Sequence, residues 1–160
     1  MVLFGPDGER EVPADQFFLA PGKTARKVDE FMTAVRFPAP PPGNRGRYLK
    51  LGRNKAGDLA IVGVAVLAFP SADTPSGYAF RLALASVAPV PLRVQLAEQL
   101  LADTKPGKAA FTAAATAAME VATPIDDVRS SANYRKEMVR ALTLRALEEV
   151  WRELETRNER

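Results

Sequence analysis

Neither cysteine nor histidine occurs in the 160 residues. Without thiols there is no disulfide framework, no iron–sulfur ligand set and no thiolate nucleophile. Without imidazole the chain lacks the commonest general base, the usual catalytic triads and most zinc chemistry. Aromatic residues make up only 8%, with a single Trp. A surplus of one charge is also missing. The 22 Lys and Arg stand against 19 Asp and Glu, so the net charge is only +3 although the pI is 9.4. Cations and acids interleave and no aromatic-plus-basic stripe is present, which argues against a nucleic-acid partner. The longest apolar run, Leu59 to Phe69, is 11 residues, too short to span a bilayer. The N-terminus puts charges directly after a turn at Gly5-Pro6-Asp7-Gly8 and lacks the pattern of a secretory signal. The chain therefore reads as soluble and cytoplasmic, with no membrane association.

Apolar residues, 47% of the chain, suffice for a core, and the length suits one domain or one domain plus a fragment. Residues 1–12 read as a hairpin: strand Val2-Leu3-Phe4, a PDG turn, and the return Arg10-Glu11-Val12. Phe17 and Phe18 are expected to be buried anchors. Residues 29–37 end as a strand with Phe31, Thr33, Val35 and Phe37 on one side. The segment PAPPPGNRG, residues 38–46, reads as a linker that is neither helix nor good strand. Strands are then expected over 47–51, 59–69 and 78–85, the last two as an antiparallel hairpin across an eight-residue loop.

The remainder reads as helical. Residues 92–102 place Leu92, Leu96 and Leu100 on one face, and Lys108 to Val121 is Ala-rich enough to pack closely. A third helix spans about Ala132 to Arg157, with a stripe of Val139, Leu142, Ala146, Val150 and Leu154 and an expected fraying at 156–160. The predicted fold class is α+β: an antiparallel sheet of three to four strands packed on one face by three helices, with a short N-terminal β segment.

The densest chemistry lies in TPIDDVRSSANYRKEMVRALTLRAL, residues 123–147. Asp126, Asp127, Arg129 and Arg135 read as a salt-bridge network at a helix start rather than as acid–base machinery, with Arg135 or Arg129 pairing one of the carboxylates. The acids complement the helix dipole, and Ser130 or Ser131 is the expected N-cap. Asp58 is expected to hydrogen-bond backbone amides at a turn. Arg93 and Glu98 read as a solvated pair. Trp151 fits either sheet packing or a partner surface.

Four segments, GEREVPADQFFLAPGKTARKVDEFMTAVRFP (8–38), RYLKLGRNKAGDLAIVGVAV (47–66), LALASVAPVPLRVQLAEQLL (82–101) and DDVRSSANYRKEMVRALTLRAL (126–147), follow one another in a characteristic order. Together they resemble the FAD-binding (medium) flavoprotein subunit of the molybdenum hydroxylases, the xanthine dehydrogenase and aerobic carbon monoxide dehydrogenase family. The resemblance covers the C-terminal part of such a subunit. It implies that residues 1–42 are the tail of the second FAD-binding lobe plus a linker, and that 43–160 are the flavoprotein C-terminal domain. No Gly-rich phosphate cradle is present, as expected of a split-gene product or a truncation. The implied cofactor is FAD, bound only with the missing N-terminal FAD-binding half. The implied partners are that half, the molybdopterin subunit and the iron–sulfur subunit, and unpaired N-terminal strand edges favour a homo-oligomer. The implied role is to complete the FAD site for electron transfer from iron–sulfur clusters to an acceptor, without catalysis by this chain alone. Carried over by position, the flavin contacts are Met32 and Leu49 or Lys50. The plainer readings are core filling for Met32 and a solvated strand-edge cation for Lys50. Where the family often has two consecutive arginines this chain has Arg53-Asn54. The competing function is a free-standing interaction or scaffold module that binds no flavin.

Overall fold

A computed structural model describes residues 1–54 and 57–158. It divides into two compact units, Met1–Pro40 and Pro41–Arg160.

In the first unit, β1 (Val2–Gly5) and β2 (Gly8–Glu11) form the expected hairpin. A one-turn helix α1 (Ala14–Phe17) leads into a small hairpin of β3 (Phe18–Ala20) and β4 (Lys23–Thr24). The strand β5 (Phe31–Ala34) then pairs with the free side of β1, giving the order β2-β1-β5. This strand stops at Ala34, short of the expected Val35 and Phe37. Its register on β1 ends at Val2↔Ala34, and Glu30 is held in the preceding loop by side-chain bonds. The unit's core is small: Leu3, Val12 and Phe17. Phe18, expected to be buried beside Phe17, is exposed and meets it edge to face at 5.1 Å.

The second unit is an antiparallel meander, β6 (Arg45–Leu51), β7 (Val62–Pro70), β8 (Tyr78–Ala85) and the two-residue β9 (Leu92–Arg93), with neighbours in that order. Three helices follow: α2 (Gln95–Asp103), α3 (Lys108–Val121) and α4 (Ala132–Asn158). The predicted α+β architecture is the one observed. Alternation puts Val64 and Val66 of β7 opposite Leu84 and Leu82 of β8, with Val62 on the same face, all buried beneath the helices. Alanines 110, 114, 117 and 118 are buried on α3, and their small side chains let it pack closely. The α4 stripe holds at Val139, Ala146, Val150 and Leu154, and Leu147 is buried beside it.

Several boundaries differ from the sequence reading. Arg45 and Gly46 belong to β6, not to the linker. Asn44 closes a turn on the Pro41 carbonyl (2.7 Å from its side-chain amide) with Gly43 at φ 73°, and the chain is extended immediately afterwards. Residues 59–61 lie outside β7 because they return the chain to the sheet, where the Ile61 amide donates to Leu51 (2.7 Å). Leu92 is in β9 rather than in the helix. On α2 the buried positions are Ala97, Glu98 and Leu101, while Leu96 is exposed, so the predicted stripe is rotated by one residue. The fraying expected over 156–160 is not seen at 156–158, where α4 continues to Asn158; Glu159 and Arg160 lie outside the described residues. Among the described residues, no helix is long and apolar enough to cross a membrane.

Candidate functional site

The charge cluster at the start of α4 is a structural hub. Arg135 is 2% exposed. Its Nη1 donates to the carbonyls of Ile61 (3.2 Å), just before β7, and Ser86 (3.0 Å), just after β8; its Nη2 donates to Asp127 (2.6 Å). Arg129 grips the other Asp127 oxygen from Nη2 (2.6 Å) and Nε (3.0 Å), and its own amide donates to Asp127. These bonds to the ionised form hold the Asp127 carboxyl far below the usual carboxylate range, the Arg129 guanidinium contributing most. Such a group is not poised as a general base near neutral pH. Both arginines named from the sequence thus pair with Asp127. Of the two serines, Ser131 is the cap: its hydroxyl accepts from the Tyr134 amide (3.3 Å). Asp126 adds a second acceptor for the same helix end, from the Ala132 amide (2.6 Å).

Arg93 and Glu98 are not a solvated pair. The Glu98 side chain is 7% exposed and accepts from Arg93 Nη2 (2.6 Å), Arg93 Nε (2.9 Å) and the Leu82 amide of β8 (3.0 Å). Because β9 is only two residues long, the Leu82 N–H lies where no strand partner reaches it, and the carboxylate supplies the missing acceptor. Trp151 packs inward, edge to face on Tyr78 (4.8 Å) and near Phe111 (6.3 Å).

In the first unit Arg10 clasps Glu30 through Nε (2.6 Å) and Nη2 (2.9 Å) and also donates to the Ala25 carbonyl (2.8 Å). The Lys27 amide completes the Glu30 shell (2.7 Å). The Arg10 bond, then the Lys27 amide, lower the Glu30 pKa to about 2. The sequence reading missed this clasp.

Met32 lies on β5 in the first unit, paired with Leu3 and exposed. Leu49 and Lys50 lie on β6 in the second unit. Leu49 packs against the core beneath the helices. Lys50 is on the opposite face, and its ammonium donates to the Asp58 carbonyl (2.6 Å). Asp58 behaves as a turn residue: its carboxylate accepts from the amides of Arg53 and Asn54 (3.2 Å), which lowers its pKa, the Arg53 amide most of all.

The face shared by Lys50 carries a feature not singled out from the sequence. Tyr48 is 58% exposed there and leans over Gly63 of β7. Alternation along 47–51 was the available signal, since it puts Tyr48 and Lys50 on one side of the strand. The same face presents Ala65, Ala83 and Ala85, with Arg81 5.6 Å from the Phe69 ring centroid.

FAD would require a ring surface and a pyrophosphate cradle. The exposed aromatic of Tyr48 fits a planar, electron-accepting ring system, and Lys50 shares its face with its ammonium on the Asp58 carbonyl. Two of the three long helix starts do not fit the phosphates. That of α4 is filled by Ser131 and the Asp126 carboxylate, and α2 carries an acid, Glu98, in its first turn; α3 opens on Gly107 with no side-chain cap and no acid in its first turn. Among the described residues, no group of three or more potential ligands is placed to hold a metal ion.

With this geometry in place, the likeness to known proteins is specific. Residues 47–150 match the model of the CO dehydrogenase flavoprotein C-terminal domain family. The chain is 40% identical over 150 residues to the carbon monoxide dehydrogenase medium chain of Hydrogenophaga pseudoflava, covering 94% of this chain and 51% of that one. It is 28% identical to the putative xanthine dehydrogenase FAD-binding subunit of Escherichia coli K12, covering 92% and 50%. Among solved structures, the H. pseudoflava carbon monoxide dehydrogenase lacking the Mo-pyranopterin moiety of its cofactor superposes with a TM-score of 0.86 at 40% identity, over 94% of this chain and 51% of that one. The chain spans about half the length of the curated relatives it matches.

Proposed function

We propose, from the fact that this chain belongs to the CO dehydrogenase flavoprotein C-terminal domain family, that it serves as the C-terminal half of an FAD-carrying medium subunit in a molybdenum hydroxylase. Residues 1–42 act as the tail of the second FAD-binding lobe and 43–160 as the C-terminal domain. FAD, when bound, supplies the redox exchange between the iron–sulfur clusters of a partner subunit and an acceptor. The chain itself positions and shields. Tyr48 and Lys50 offer a ring contact and a cation from the sheet face opposite the helices, and Met32 offers a thioether from the first unit. Leu49, turned into the core, supports that strand from beneath. The phosphate cradle comes from an N-terminal FAD-binding half, and the assembly includes molybdopterin and iron–sulfur subunits. The complex is cytoplasmic.

One observation carries this reading: an exposed aromatic, Tyr48, shares a helix-free sheet face with Lys50. It is tested by purifying the chain alone and after co-expression with a neighbouring gene for a Gly-rich FAD-domain half. The expected result is a colourless chain alone and a yellow complex with flavin absorbance. A colourless complex would support the scaffold module instead.

A further inference from the structure

We infer that Gly63 is a positioning residue for the flavin contact proposed above, acting through Tyr48; the inference rests on that reading. Gly63 stands opposite Lys50 across the β6–β7 pair, and Tyr48 stands opposite Ala65. The Tyr48 ring does not stay over its own partner but leans diagonally along the sheet onto Gly63. A Cβ at position 63 would lie 2.7 Å from the Tyr48 hydroxyl oxygen, 3.3 Å from its ring Cε2 and 3.3 Å from the Ala85 Cβ. The first distance is too short for any real side chain, so alanine at 63 displaces the ring.

Nothing in the backbone asks for glycine there, because Gly63 is not among the positive-φ glycines. The missing side chain serves the neighbour. Lys50, directly across from Gly63, also clears the space: its ammonium reaches away to the Asp58 carbonyl (2.6 Å). The phenol fills the resulting notch, while 58% of the residue remains exposed. Tyr48 is therefore seated on the sheet with ring surface left open, the arrangement a stacking partner needs, and the rotamer entropy of the side chain is spent before a ligand arrives.

The test uses G63A, Y48A and the double variant. In the full chain, the ring-current shift of the Ala85 methyl group is expected to vanish in both single variants, with melting of G63A and Y48A close to the parent. In the complex with the FAD-binding half, the apparent FAD dissociation constant is expected to rise about threefold to tenfold in each single variant, the scale of one aromatic contact. The double variant is expected to lose no more than Y48A alone, because Gly63 acts only through that ring. An unchanged Ala85 shift in G63A, or additive losses in the double variant, would overturn the positioning role. If G63A alone fails to fold, folding of the double variant confirms the clash and misfolding of the double variant refutes it. If the Ala85 shift moves but FAD affinity does not, the seat of Tyr48 stands and its use by flavin is refuted.

Discussion

Arg135 is the side chain whose loss the second unit should tolerate least. It joins the start of α4 to Ile61, Ser86 and Asp127, so it ties together three chain segments distant in sequence. Replacing it with leucine leaves two carbonyls without their donor and removes one of the Asp127 bonds, while Arg129 still holds that carboxylate. R135L is expected to cost about 2–4 kcal/mol, the scale for leaving two carbonyl acceptors unsatisfied. For a domain of this size that lowers the melting temperature by roughly 10 °C, readable by calorimetry. D127A is expected to act in the same direction. Acid should expose the same dependence. Asp127 and Glu30 both have folded-state pKa values below their unfolded ones, so the unfolded chain binds more protons in acid. Their contribution is full above the unfolded carboxylate range and is lost as pH falls toward about 2 for Glu30. An acid titration of the first unit followed by backbone NMR should show it loosening below about pH 4, and E30Q should remove most of that pH dependence. The Asp127 network was legible in the sequence because acids and arginines crowd one short segment. The Arg10–Glu30 clasp was not, because its partners lie 20 residues apart and meet only once β5 folds back on β1.

The helices and strands show where pattern reading succeeds and where it slips. The long α4 stripe was readable because 27 residues average out local exceptions. The nine-residue α2 offered too few turns to fix its phase, and its buried face includes the polar Glu98, which a hydrophobic pattern cannot register. The strand β9 was missed because two residues carry no periodicity. Glu98 and β9 are linked: the carboxylate takes the β8 amide that the short strand leaves open. E98A is therefore expected to cost about 1–3 kcal/mol, the penalty of an unsatisfied buried donor, rather than the few tenths of an exposed ion pair. Chemical denaturation of the variant checks this. Hydrogen exchange at Leu82 should accelerate in the variant; an unchanged rate there would remove the proposed capping role.

At the scale of the whole molecule, the fold class and the family were both legible, since four segments in order carry the resemblance and the three long helices follow the four-stranded sheet in sequence. Which face of the sheet holds functional side chains was less so. Leu49 and Lys50 are neighbours in sequence, yet a strand sends them to opposite sides, and only the packed structure shows that the helices cover the side of Leu49. The first unit buries few apolar side chains, Val2, Leu3, Val12 and Phe17, while Phe4, Phe31, Met32 and Phe37 are exposed. So little burial is marginal for an independent unit. The central claim is that the helix-free sheet face meets the flavin, and the oxidation rate of Tyr48 tests it most directly. In radical footprinting, Tyr48 should react readily in the free chain and be protected severalfold in the FAD-loaded complex. A Tyr48 that stays as reactive in the yellow complex as in the free chain would contradict the account.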